Sequence, residues 1–140
     1  MHLYEKVTFP RIVEQSAKRD KWLVDIIEGR MEQDTVLQEL SNSQVCVVRD
    51  YKFNGVNVDQ LHYLCMSKHL EIKSLRDLNA ASLPMLYHVR DVAAPGIALQ
   101  YSVPVEDILM YCHYHPTSWV FHVHVMARTH GIAFIYLYYE

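Results

Sequence analysis

Histidine carries most of the chemical information in this sequence. The chain holds nine histidines, and His113, His115, His122 and His124 fall in one short stretch. Side chains alternate across a strand, so His122 and His124 share one face while Val123 and Val125 turn into apolar packing. His113 and His115 pair in the same way, and a turn at 116–118 can bring the two pairs together. Four such rings make a poor core, because each buried imidazole has two nitrogens that need partners. Three roles compete. A neutral imidazole is nucleophilic at pH 7 and can form a phosphohistidine, given a neighbour that fixes its tautomer and donors for the phosphate oxygens. Imidazoles also ligate zinc, nickel or copper. No carboxylate or cysteine pattern accompanies them here, and Cys112 should face away from His113. Structural histidines are the third role, common for one ring and a weak explanation for two successive His-x-His pairs. Phosphate chemistry is the reading these residues favour.

Such residues need strands to hold them. Residues 108–115 and 119–127 read as strands around the turn, and 44–49 (QVCVVR) as another, followed by a turn over 50–57. Ser16 is placed to cap a helix running to about Leu40. Its positions Trp22, Leu23, Ile26, Ile27, Met31 and Leu37 lie mostly at helical spacing, with Gly29 a mild weakness. A second helix is expected over 59–70. Residues 74–78 lead to a third, opened by Pro84 and kinked or ended by Pro95-Gly96. After Gly131, residues 132–139 are nearly all aromatic or β-branched and could add a strand, an aggregation hazard if unpaired. The order gives an α+β domain, an antiparallel sheet with packed helices.

Composition sets the outer limits. With 140 residues, 51% of them apolar, the chain is expected to form one domain with one core. A net charge of −3 excludes the basic footprint of a protein that grips long nucleic acid. No run approaches the roughly 20 apolar residues of a membrane span, so no membrane partner is expected. Three widely spaced cysteines, an odd number, suit a reducing compartment better than a disulfide scaffold.

The segment Phe121-His122-Val123-His124-Val125 resembles the histidine-triad motif, in which histidines alternate with apolar residues. Its flanks narrow the resemblance. HYHPTSWVFHVHVMA (113–127) resembles the active-site hairpin of the scavenger mRNA decapping family, pyrophosphatases of the histidine-triad superfamily. EIKSLRDLNAASLPML (71–86), RDYKFN (49–54) and KWLVDIIEGRMEQD (21–34) resemble further segments of that family in the same order. The resemblance implies a histidine-triad-like fold and a 7-methylguanosine cap dinucleotide, or very short capped RNA, as substrate. It implies that Trp22 stacks on the positively charged methylated guanine, as cation–π attraction favours. It implies that Glu32 accepts from the guanine edge, that Asp50 and Lys52 line the pocket, and that His113 and Thr117 contact phosphate. His122 matches the nucleophile and His124 its hydrogen-bonding partner. No metal or cofactor is required by this chemistry. A homodimer in the cytoplasm, with the nucleus as a second compartment, also follows from the resemblance.

The match has departures. Val120 stands where the first triad histidine belongs and offers no side-chain hydrogen bond. A shifted frame would make His124 the nucleophile and Met126 the third member, but the distance from His113-Tyr114 and Pro116 favours the first frame. Ser118 replaces a family tyrosine. The family's N-terminal swapped domain and C-terminal tail have no counterpart in these residues, so a single catalytic domain is expected. Two further readings stand beside the hydrolase: a catalytically impaired cap-binding homologue and a four-histidine metal protein.

Overall fold

The computed structural model describes residues 3–114, 116 and 118–129, without the side chains of five residues in the first helix. His115, Thr117 and the aromatic segment 132–139 therefore lie outside the described residues. Four antiparallel strands form one sheet: β1 (Val45–Arg49), β2 (His62–Ser67), β3 (Ile108–Tyr111) and β4 (His122–Ala127), in the order β1-β2-β4-β3. Helix α1 (Phe9–Arg19) and helix α2 (Lys21–Ile27) precede the sheet. Helix α3 (Leu83–His88) and helix α4 (Ala94–Gln100) lie between β2 and β3. The α+β architecture with an antiparallel sheet is as the sequence implies.

Register explains the two cores. Val47, Cys65 and Val123 lie side by side across β1, β2 and β4, and so do Val48, Leu64 and His124. Because the period is two, the first row and its neighbours face α3 and α4, burying Val47, Tyr63, Cys65 and Val125 against Met85, Val89 and Ile97. The other face packs Cys46, Val48, Met66 and Val120 against Leu23 and Ile26 of α2. Both histidines of β4 belong to this second face.

Four expectations need correction. Residues 59–70 do not form a helix: His62–Ser67 is the central strand β2, buried on both faces except at Leu64. A run buried on both sides has no amphipathic stripe, and central strands read as continuous apolar segments. The first helix does not begin at Ser16, which lies inside α1, and does not reach Leu40. It ends at Ile27 because Gly29, at φ +78°, turns the chain left-handed. Gly29 N–H then donates to Ile26 O at 3.1 Å and Arg30 N–H to Asp25 O at 2.8 Å, a Schellman closure of the orphan carbonyls. Pro95-Gly96 does not end the third helix. A wide π turn at Val89–Ala93 precedes α4 and puts Pro95 in its first turn, where no amide donor is needed. Gly96 is required by close approach, since a Cβ there would collide with Leu40. Finally, the strands at 108–115 and 119–127 are shorter, as Ile108–Tyr111 and His122–Ala127.

Candidate functional site

The connection into β4 is fixed before the strand begins. Asp20, buried between α1 and α2, accepts the Trp119 N–H with both carboxylate oxygens, at 3.2 and 3.1 Å. This ties the histidine hairpin to the start of α2, the helix that carries Trp22. A cavity of about 350 Å³ opens at that junction. It brings together six of the residues singled out in the sequence: Trp22, Asp50, Lys52, His113, His122 and His124. Glu32 is not among its walls but reaches Trp22, whose indole Nε1–H donates to Glu32 Oε1 at 3.1 Å. The pairing depends on the helix ending early. Glu32 holds a left-handed backbone, φ 50° and ψ 36°, just beyond the Gly29 turn. Thr117 lies outside the described residues.

His122 is buried, and its Nδ1 lies 2.8 Å from the Val120 carbonyl oxygen. A carbonyl only accepts, so Nδ1 carries the proton and the neutral ring holds its lone pair on Nε2. Burial pushes the pKa of His122 down, against the opposing pull of the Val120 carbonyl. The ring is therefore neutral at pH 7. The side chain of Val120 is wholly buried in the apolar cluster beside α2, so the missing triad imidazole leaves a packed methyl surface there. Its backbone, however, fixes the tautomer of His122.

His124 sits between two other imidazoles. Its Nδ1 is 2.9 Å from His62 Nε2, and its Nε2 is 3.1 Å from His113 Nε2. Its ring also stacks on Tyr111, with centroids 4.8 Å apart. Asp50 Oδ1 lies 3.8 Å from His62 Nδ1. That carboxylate favours the proton on Nδ1 of His62, so Nε2 accepts from His124 Nδ1–H and His124 Nε2 accepts from His113 Nε2–H. Burial, then the neighbouring His122, His62, His113 and Lys52, push the His124 pKa down to about 2. His62 is the site residue that the sequence analysis missed. Its signal was a histidine inside a run of apolar residues, hidden by assigning that run to a helix.

The same imidazoles are also placed to act as metal ligands. His113, His122 and His124 each present a ring nitrogen, all within 4.8 Å of one another, a set that could hold a transition-metal ion. The fourth histidine of the expected metal set, His115, lies outside the described residues.

The family model for "Scavenger mRNA decapping enzyme C-term binding" matches residues 21–135. This chain belongs to the scavenger mRNA decapping family. Among its relatives, the m7GpppX diphosphatase of Caenorhabditis elegans is 32% identical over 124 residues, 87% of this chain and 40% of that protein. The m7GpppX diphosphatases of Bos taurus and Homo sapiens are 30% and 27% identical, each over 89% of this chain and 37% of their own length. The chain thus spans about two fifths of the decapping relatives it matches. Solved structures establish the fold. A histidine triad protein from Clostridium difficile superposes with a TM-score of 0.60 at 18% identity, covering 77% of this chain and 90% of that one. Hnt3 in complex with DNA and guanosine gives 0.56 at 20% identity, covering 77% of this chain and 60% of that one. The histidine-triad fold is therefore present in this member of the decapping family.

Proposed function

We propose that this chain binds 7-methylguanosine cap nucleotides and hydrolyses the triphosphate bridge of cap dinucleotides or very short capped RNA, in mRNA decay. The observation that carries the reading is His122: a neutral ring, its tautomer set by Val120 O at 2.8 Å, on the wall of a cavity that also holds Trp22 and Lys52. Trp22 stacks on the cationic base and Glu32 accepts from the guanine edge. Lys52 and His113 offset phosphate charge, with Thr117 as a further contact and Asp50 holding its neighbours in place. His122 Nε2 attacks the phosphorus next to 7-methylguanosine. The bond from that phosphorus to the bridging oxygen breaks, and the nucleoside diphosphate or short oligonucleotide leaves on that oxygen. Water then attacks the same phosphorus, the N–P bond breaks, and 7-methylguanosine monophosphate departs while His122 recovers its lone pair. His124 is a poor candidate for the attack because both of its nitrogens are engaged by His62 and His113.

Incubation with a capped dinucleotide tests this. Release of 7-methylguanosine monophosphate should fall at least about a thousandfold in His122→Asn, the scale of losing a nucleophile. Unchanged turnover in that variant would remove His122 from the mechanism. A second reading, cap binding without turnover, is favoured by Val120. It predicts tighter binding of methylated than unmethylated guanosine nucleotides by a wild-type protein that releases no product. We also take the chain to act as a homodimer in the cytoplasm, on its family likeness and its odd set of free cysteines.

A further inference from the structure

Asp20 carries a buried carboxylate in an unusual posture. It occupies the position just before α2, and its backbone carbonyl accepts the Val24 N–H at 2.9 Å. Aspartate at that position ordinarily turns its side chain back to cap the first amides of its own helix. Here it makes no such bond among the described residues. The carboxylate instead crosses the fold to Trp119 N–H, 99 residues away, with oxygens at 3.2 and 3.1 Å. A charge-assisted bond of this kind is roughly twice as strong as a neutral one. The chain therefore forgoes a local cap and spends the carboxylate on the approach to β4.

That approach sets the nucleophile. Trp119 is followed by Val120, whose carbonyl oxygen lies 2.8 Å from His122 Nδ1. The other end of the same peptide group, the Phe121 N–H, donates to Ile72 O at 3.1 Å. Phe121 O in turn accepts the Ser67 N–H at 2.8 Å. Residues 119–121 are thus gripped at Trp119 by Asp20 and at Phe121 by backbone. Between those two anchors the Val120 carbonyl has one direction, toward His122. Asp20 also lies close enough to His122 for its charge to favour the protonated ring.

We propose that Asp20 is a positioning residue for the transfer to His122: by anchoring Trp119 it aims the Val120 carbonyl, which keeps the proton on Nδ1 and the lone pair on Nε2. This rests on the cap-hydrolysis reading and adds a residue that touches neither substrate nor nucleophile. In the first step the Nε2 lone pair forms the N–P bond, the bond from phosphorus to the bridging oxygen breaks, and Nδ1 keeps its proton throughout. If the carbonyl turned away, the Nε2–H tautomer would become available, and that ring has no lone pair to offer phosphorus. Asp20 therefore acts on formation of the covalent intermediate. Cap binding, which falls to Trp22 and Glu32, does not depend on it.

Three substitutions in the full chain test this. Asp20→Ala removes the bond to Trp119. Asp20→Ser removes it too, being one bond too short, but can cap α2, and so keeps the test open if Asp20→Ala does not fold. Asp20→Asn keeps a carbonyl oxygen for the Trp119 N–H. Single-turnover release of the nucleoside diphosphate from a capped dinucleotide should fall about tenfold in Asp20→Ala and Asp20→Ser, the scale of one charge-assisted hydrogen bond. Asp20→Asn should recover most of that loss. Calorimetric binding of 7-methylguanosine monophosphate should stay within about twofold in all three. Nitrogen-15 NMR of labelled histidine should show the Nδ1–H tautomer of His122 in the wild type and Asp20→Asn, and a tautomer mixture in the other two. Wild-type release and an unchanged tautomer in Asp20→Ser would overturn the proposal. Equal losses of release and of nucleotide binding, or Asp20→Asn as impaired as Asp20→Ser, would overturn it as well. The tautomer is read without turnover. If the wild type releases no product, the hydrolysis reading fails, while a tautomer lost in Asp20→Ser still upholds the link from Asp20 to His122.

Discussion

His124 cannot act as a base at neutral pH, because its pKa is pressed down to about 2 by burial and by the surrounding imidazoles. Its role is to accept and donate hydrogen bonds, and the quality of those bonds depends on His62, which is fully buried 2.9 Å away. His62→Leu keeps most of the packing and removes that partner. We expect the His124 titration, read by NMR of its ring protons, to move, because a hydrogen-bond partner and electrostatic neighbour is gone. We expect kcat to fall about tenfold with KM little changed, as for a lost positioning hydrogen bond. Unaltered titration and turnover would place His62 outside the site. At the other end of the cavity, Trp22→Ala should weaken 7-methylguanosine monophosphate by about 1–3 kcal/mol, the usual worth of base–aromatic stacking. GMP should lose less, since it lacks the positive ring that strengthens the stack. Similar losses for both nucleotides would argue against cation–π recognition.

Among the elements, the short α2 does more than pack. Its left-handed exit at Gly29, φ +78°, returns the chain so that Glu32 meets Trp22. Gly29→Ala meets no neighbour closer than Gln33 Oε1 at 4.0 Å, so its cost is conformational and should be about 1–2 kcal/mol, measured by urea denaturation. Loss of cap affinity should accompany it if the exit sets Glu32. The sequence read β4 well because its alternation is strict, with valines toward one core and histidines toward the cavity. Trp22, Asp50, Lys52 and His113 line the cavity on that face. The failures share a cause, which is that local spacing does not report tertiary neighbours. Gly29 reads as a weak helix residue until its φ is seen. His62–Ser67 lacks alternation because both of its faces are covered, and misassigning it concealed the histidine that bonds His124. Pro95-Gly96 reads as a break, but Gly96 is small because Leu40 lies against it and Pro95 because a π turn precedes it. Val120 reads as a missing first triad histidine; its side chain packs in the second core, while its carbonyl lies 2.8 Å from His122 Nδ1.

For the whole molecule, a site of buried neutral imidazoles makes stability depend on pH. Both His122 and His124 have folded pKa values below the ordinary 6.5. Protons are therefore taken up by the unfolded chain first, and ∂ΔG/∂pH of unfolding is positive in that window. The histidine contribution is complete above about pH 6.5 and drains away as the pH falls, by up to about 1.4 kcal/mol per unit for His124 alone. Carboxylates act later. Asp25 and Asp91, held below the ordinary 3.8 by Arg30 and Arg90, lose their contribution only as the pH falls below that value. Between pH 6.5 and 4, His122 and His124 therefore contribute a positive slope. Urea denaturation at pH 7, 5.5 and 4.5 should show the wild type losing stability steadily, and His124→Asn, with one buried imidazole fewer, losing it less steeply. Identical slopes would mean that His124 is not held neutral by the fold. The same sign applies to catalysis. The His122 pKa is lowered from 6.5 by burial, so the acid limb of kcat/KM should lie below that value. An acid limb at or above 6.5 would show that the neutral ring of His122 is not what limits attack on phosphorus.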